Sequence, residues 1–238
     1  MNYMLIIMSI GLLITVHELG HLLAALRWGI PVERFSVGFG PRLFGIKRGG
    51  VDYCVSLIPL GGYVLPAVKD EDEFFAIPPG KRIIFALGGP LANVVFGIAL
   101  FALANALKAG PSLYAIFVLP FKQVSYLIVA IVSTIPQLFT HTDQMSGIVG
   151  TVAQGGDIIQ SGFTSLVLFT AFMSINFTIF NLLPLPVLDG GHILLTMLEK
   201  INPRLIKIRI PLAITGWLVM IALMIYVTTQ DIIRITAA

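Results

Sequence analysis

Cysteine and charge are what this chain has least of: one cysteine, Cys54, in 238 residues, and only 11% Asp, Glu, Lys and Arg. A lone thiol excludes an intrachain disulfide framework and any metal site built from several cysteines, and Cys54 is read as packing. With 57% hydrophobic residues and a mean hydropathy of +0.94, an ordinary soluble domain is excluded as well. The formal net charge is +3, and no basic tract is interleaved with aromatics, so no nucleic-acid partner is expected. The opening "MNYMLIIMSIGLLITV" has neither the positive leader nor the small-residue cleavage site of a secretory signal. Its apolar run also continues past signal-peptide length, so the first span is expected to be retained. What remains is a polytopic, all-α membrane protein whose first partner is the lipid bilayer.

Four segments reach the roughly 20 apolar residues that a membrane helix needs: about 3–26, 83–107, 163–183 and 211–229. The third contains Ser165, Ser174, Asn176 and Thr178 and runs into "NLLPLPVLDGGH", which predicts a helix broken near one membrane face. A shorter candidate at 123–139 carries Pro136 and is read as lying along the surface or pairing with 113–121. Of the 15 basic residues, Arg27, Arg34, Arg42, Lys47, Arg48, Lys69, Lys81 and Arg82 follow the first span, and Lys200, Arg204, Lys207 and Arg209 follow the third. The positive-inside bias then makes both connections cytoplasmic, with the N- and C-termini on the outer side. The outer connection, 108–162, must therefore cross the membrane zero times or twice.

"FSVGFGPRLFG" and "VDYCVSLIPLGGYVLP" are β-prone runs punctuated by Gly and Pro, with turns expected at Gly38, Gly40, Gly61 and Gly62. They predict a small membrane-associated β element over about 35–65. The acidic "KDEDEFF" at 69–75 reads as a solvated loop. No internal repeat or low-complexity linker appears, so residues 1–238 are taken as a single domain.

The chemistry sits in "TVHELGHLLAAL", where polar groups interrupt a membrane span. His17 and His21, at i and i+4, share one helix face, and Glu18 flanks it, which is the HExxH spacing of zinc peptidases. The bland alternative, a pair of helix histidines capping a packing interface, has to meet the cost of ionisable groups in lipid. A hydrolytic zinc site takes three protein ligands and an open position. For the third ligand, Asp189 is the strong acidic candidate near a span. Pro184 and Pro186 break the helix before it, and Gly190 and Gly191 permit a tight turn, carrying the carboxylate to membrane depth. Coordination to a divalent cation would remove the cost of an unpaired carboxylate there. His192 competes as a ligand by type. At 1.5 Å per residue, His21 lies about 10 Å and His17 about 16 Å from the end marked by Arg27 and Trp28, in the same leaflet as Asp189.

These residues resemble the site-2 family of intramembrane zinc metalloproteases. The resemblance rests on "HELGH" at 17–21 and "NLLPLPVLDGG" at 181–191, with weaker matches at "GFGP" (38–41), "GGPLAN" (88–93) and "SGIVG" (146–150). It implies that His17, His21 and Asp189 bind Zn2+, that Glu18 is the catalytic base, and that Asn181 assists at the substrate carbonyl. It implies too that the β element and "GGYV", hence Gly61, Gly62 and Tyr63, receive substrate as an added strand. Asn181 as a helix cap, and the β element as a lid, stay open as alternatives. The 108–162 connection is too short and apolar for the PDZ domain of many bacterial members, so the likeness is to compact members in bacterial or archaeal membranes. The expected substrate is a single-span membrane protein, such as an anti-sigma factor, cut to release a cytoplasmic fragment. A divalent-metal transporter, or an inactive membrane binding protein on the same scaffold, are the competing classes.

Overall fold

The computed structural model describes residues 2–136, 147–202 and 209–237. Helix α1 (Asn2–Trp28) leads into a hairpin of β1 (Val32–Arg48) and β2 (Val51–Pro66), then the short α2 (Glu71–Ala76) and the long α3 (Pro79–Ala109). α4 (Leu113–Phe117), α5 (Leu119–Thr134), α6 (Ile148–Ile158), α7 (Phe163–Asn181), α8 (Asp189–Ile201) and α9 (Arg209–Ala237) follow.

Among the described residues, five helical segments are long and apolar enough to cross a membrane. Four fall at the expected positions; the fifth, Leu113–Thr134, corrects the count of four. α4 and α5 together begin well before Gln123 and close before Pro136, so the proline that argued against this segment lies past its end. Residues 137–146, among them Ser146 of the "SGIVG" block, lie outside the described residues.

The polar residues of the third span do not interrupt α7, because the bundle satisfies them. Ser174 Oγ donates to the Asn93 carbonyl (2.8 Å), Thr178 Oγ1 to the carbonyls of Ser174 (3.0 Å) and Pro90 (3.3 Å), and Asn176 Nδ2 to that of Phe172 (3.0 Å). In lipid, a donor without such a partner would cost several kcal/mol, so these bonds tie α7 to α3 as well as to itself. α1 meets α3 backbone to backbone: a Cβ on Gly88 would stand 2.5 Å from the Gly20 carbonyl oxygen. Small residues at that crossing are what permit such an approach.

The β element is a bent antiparallel hairpin of two long strands, broader than expected, joined at Gly49 and Gly50. Both glycines have positive φ (59° and 86°) and Arg48 pairs with Val51, the geometry of a two-residue hairpin turn. Gly38, Gly40 and Gly61 bend the strands at positive φ as the sequence suggested, whereas Gly62 does not. Arg34 through Val37 have partners on both sides, Leu65 through Gly62 and Asp52 through Val55, which leaves the 61–65 segment as a border of the sheet. That border lies against α1: Thr15 Oγ1 donates to the Gly61 carbonyl at 3.0 Å.

The acidic stretch is a helix, not a loop. Asp70 accepts from the Glu73 amide (2.9 Å) and Glu73 from the Lys69 amide (2.7 Å), a reciprocal cap that starts α2. α8 is fastened to α3 by a buried bidentate pair, Arg82 to Glu199 at 3.0 and 2.7 Å. At the other end, Asp231 of α9, 1% exposed, accepts from the amides of Gly147 (2.9 Å) and Gly150 (2.8 Å) and so caps α6.

Candidate active site

Three elements converge on one point. α1 contributes His17 and His21, one turn apart and both buried, and the break between α7 and α8 contributes Asp189 as the first residue of α8. The break works as its composition predicts. α7 ends at Asn181, and a Cβ on Gly190 or Gly191 would overlap the carbonyl oxygens of Leu182 or Leu185, so only glycine lets the returning chain pack this tightly.

His17 Nε2 lies 3.0 Å from Asp189 Oδ2 and 3.1 Å from His21 Nε2, and His21 Nε2 lies 3.5 Å from Asp189 Oδ1. One ligand atom from each residue falls within 4.8 Å of the others. His21 Nδ1 donates to the Phe85 carbonyl at 2.7 Å, which leaves the Nε2 lone pair aimed into the cluster. Asp189 Oδ2 is buried and, for all its closeness to His17, has no directed hydrogen-bond partner among the described residues. Converging lone pairs and a carboxylate oxygen without a donor suit a bound cation, and two imidazoles with one carboxylate match the ligand set of catalytic zinc. His192, the competing ligand, stands outside this group but lines the adjoining cavity.

Gly89 of α3 supplies the space. A Cβ there would stand 2.5 Å from His21 Nε2 and 2.6 Å from His17 Cε1 and Nε2, so α3 presses bare backbone against both rings. Phe177 closes the far side of His17, edge-on, at a centroid distance of 5.2 Å.

Glu18, next to His17 in the helix, reaches the sheet border, where its Oε2 accepts from the Val64 amide at 3.1 Å. A cavity of about 210 Å3 opens beside it, with Glu18, His21, Asp189, His192, Val64 and Arg82 in its wall. Of the expected substrate-binding residues, Gly61 packs on Ile14 and is held by Thr15, Gly62 lies against the Ser36 carbonyl, and the Tyr63 ring stacks on Phe39 at 6.3 Å. Asn181 stands at the end of α7 with its amide donating to the Phe177 carbonyl at 3.1 Å, bonded within its own helix and not into the cluster.

Sequence reasoning passed over Phe85, Gly89 and Asn93, although "GGPLAN" was singled out as a block. Their work is packing and second contacts around the histidines, for which a sequence carries no spacing rule. The Arg82–Glu199 pair, joining residues 117 apart, was equally invisible.

Five apolar helices among the described residues and a His–His–Asp cluster that could hold a metal ion point to the class of membrane metallopeptidases. Comparison with known proteins makes the class specific: the model of peptidase family M50 matches residues 5–227, and the chain belongs to this family, the site-2 proteases. A Chlamydia trachomatis protein whose name describes a zinc metalloprotease is 40% identical over 118 residues, 42% of this chain and 19% of its own length. A similarly named Campylobacter jejuni protein is 26% identical over an alignment of 345 residues, covering 98% of this chain and 94% of that one. The regulator of sigma-E protease RseP of Salmonella typhimurium is 41% identical over 109 residues, 41% of this chain and 24% of its own. The chain thus spans about a fifth of the chlamydial relative and aligns along nearly the whole of the Campylobacter one, which carries inserted residues that this chain lacks.

Proposed function

We propose that this chain is a zinc metalloendopeptidase that hydrolyses a peptide bond in or near the transmembrane segment of a single-span membrane protein, releasing a cytoplasmic fragment. The observation that carries the reading is the convergence of His17, His21 and Asp189 with Glu18 at the wall of the same cavity. His17, His21 and Asp189 hold the metal. Zinc, when bound, lowers the pKa of water at an open position to near 7 and polarises a carbonyl. Glu18 takes the proton of the attacking water, and Asn181, once its amide leaves the Phe177 carbonyl, donates to the developing oxyanion.

Substrate delivery follows from backbone chemistry. A membrane helix hides its carbonyls in its own hydrogen bonds and must unwind before attack, and an added strand at the sheet border would satisfy the groups so freed. Gly61, Gly62 and Tyr63 form the receiving segment, next to the one amide, that of Val64, already engaged by Glu18. The basic residues between 27 and 82 support a cytoplasmic position for this end of the bundle, with both termini outside. The name of RseP supports a substrate that restrains a sigma factor, such as an anti-sigma factor.

The test is cleavage of a model single-span substrate by purified protein, wild type beside Glu18→Gln, with zinc quantified in both. The reading expects stoichiometric zinc in both and cleavage by the wild type alone. Zinc in both and cleavage by neither would sink it. Metal flux into liposomes that Glu18→Gln abolishes would favour a transporter instead.

A further inference from the structure

α3 presents a single stripe to the two histidines: Phe85, Gly89 and Asn93, spaced by four residues, face one another down the helix. α1 runs the opposite way, so His21 meets Phe85 and His17 meets Asn93. For His21 the purpose is plain, since the Phe85 carbonyl accepts the Nδ1 proton and frees Nε2. Asn93 holds the corresponding place for His17. It is fully buried at 0% exposure, its backbone carbonyl is pinned by Ser174, and its side-chain nitrogen lies 3.4 Å from His17 Nδ1.

That contact cannot persist once His17 binds a cation. The ring atom facing His21 and Asp189 is Nε2, and a neutral imidazole that coordinates through Nε2 carries its proton on Nδ1. An amide nitrogen opposite Nδ1–H sets donor against donor, and 3.4 Å is long for a hydrogen bond. The other end of the same amide, Oδ1, is buried with no hydrogen-bond partner among the described residues. Amide nitrogen and oxygen have the same shape, so a half-turn about the last side-chain bond brings Oδ1 to His17 without moving another atom.

Resting on the reading of His17 as a metal ligand, we propose that Asn93 is a positioning residue of the metal centre. Its side-chain oxygen accepts the His17 Nδ1 proton, fixes the ring's tautomer, and with the Phe85 carbonyl makes α3 the common support of both imidazoles. Partners of this kind typically contribute 10–100-fold in metal affinity.

The experiment measures zinc affinity by chelator competition for wild type, Asn93→Leu, Asn93→Asp and His17→Ala, with the melting temperature of each metal-free form alongside. The expected result is a zinc affinity about 10–100-fold weaker in Asn93→Leu. In Asn93→Asp, which keeps the acceptor and loses the donor, it stays within a few-fold of wild type, and the cobalt-substituted protein keeps the wild-type visible spectrum. Equal weakening in the Asp and Leu variants would mean that the amide acts as donor, and overturns the proposal. If either variant fails to fold, nitrogen NMR of 15N-histidine in the zinc-loaded wild type decides, since His17 must show a protonated Nδ1 and a coordinated Nε2. Should His17→Ala itself bind zinc like wild type, the ligand reading fails; should only the Asn93 variants do so, this inference fails and the ligand reading stands.

Discussion

Replacing Gly89 by alanine isolates the packing of the proposed metal site from its chemistry, because no polar group changes. The added methyl would lie 2.5 Å from His21 Nε2 and 2.6 Å from His17 Cε1 and Nε2. Comfortable contact needs about 3.5–4.0 Å, so one ring or both must retreat by about 1 Å. Metal sites hold their ligand distances to about ±0.2 Å, and a 1 Å misplacement near reacting atoms costs about 10²-fold in rate. We therefore expect Gly89→Ala to weaken zinc binding by about 100-fold, near 2.8 kcal/mol at 1.4 kcal/mol per tenfold, and to cut kcat/KM at least as far. The fold itself should lose only about 1–3 kcal/mol, the usual cost of one surplus methyl in a packed interior. Gly80→Ala, on the same helix with nothing within 4 Å of the added carbon, is the matched control. The assay is zinc retained against a graded chelator series, beside cleavage of a single-span substrate. A Gly89→Ala protein that holds zinc and cuts like the Gly80→Ala control would refute the placement of both histidines against α3.

Glu18→Gln should bind zinc as wild type does and lose about 10²–10⁴ in kcat, the usual contribution of a general base, measured in single-turnover cleavage. Arg82→Ala should destabilise the protein by about 3–5 kcal/mol by depriving the buried Glu199 of its bidentate partner, and the double change Arg82→Met, Glu199→Leu should recover most of it in thermal unfolding. Thr15→Val removes the bond to the Gly61 carbonyl, worth about 1 kcal/mol; we expect KM to change more than kcat, and the reverse would detach the sheet border from substrate binding. Asp231→Ala should speed amide exchange at Gly147 and Gly150, where its carboxylate accepts, and leave zinc content untouched.

Much of the site was legible because its chemistry is local. His17, Glu18 and His21 lie within one helical turn, so a spacing rule places them on neighbouring faces before any fold is known. Asp189 was legible for a different reason: a carboxylate behind two prolines at membrane depth has few affordable surroundings other than a cation. The hairpin was expected from its β-prone runs, yet its turn at Gly49 and Gly50 was missed, because "RGGV" reads as ordinary loop until the pairing of Arg48 with Val51 is known. The fifth span was left undecided because the apolar run from Gln123 is only marginally long enough; it reaches full length when joined to the run from Leu113, where Ser112 caps the first turn through the Ala115 amide.

The sequence by itself determined the class of solvent and the helical spacing of His17, Glu18 and His21, since composition and periodicity are properties of neighbouring residues. Only the tertiary structure decided which atoms face one another. It brought Asp189 to residues 168 and 172 positions earlier, set the backbone of Gly89 against both rings, turned Glu18 toward the Val64 amide, and left Asn181 bonded within its own helix. Such contacts join residues far apart in the chain through close packing, and no local pattern records which partner a buried polar atom will meet.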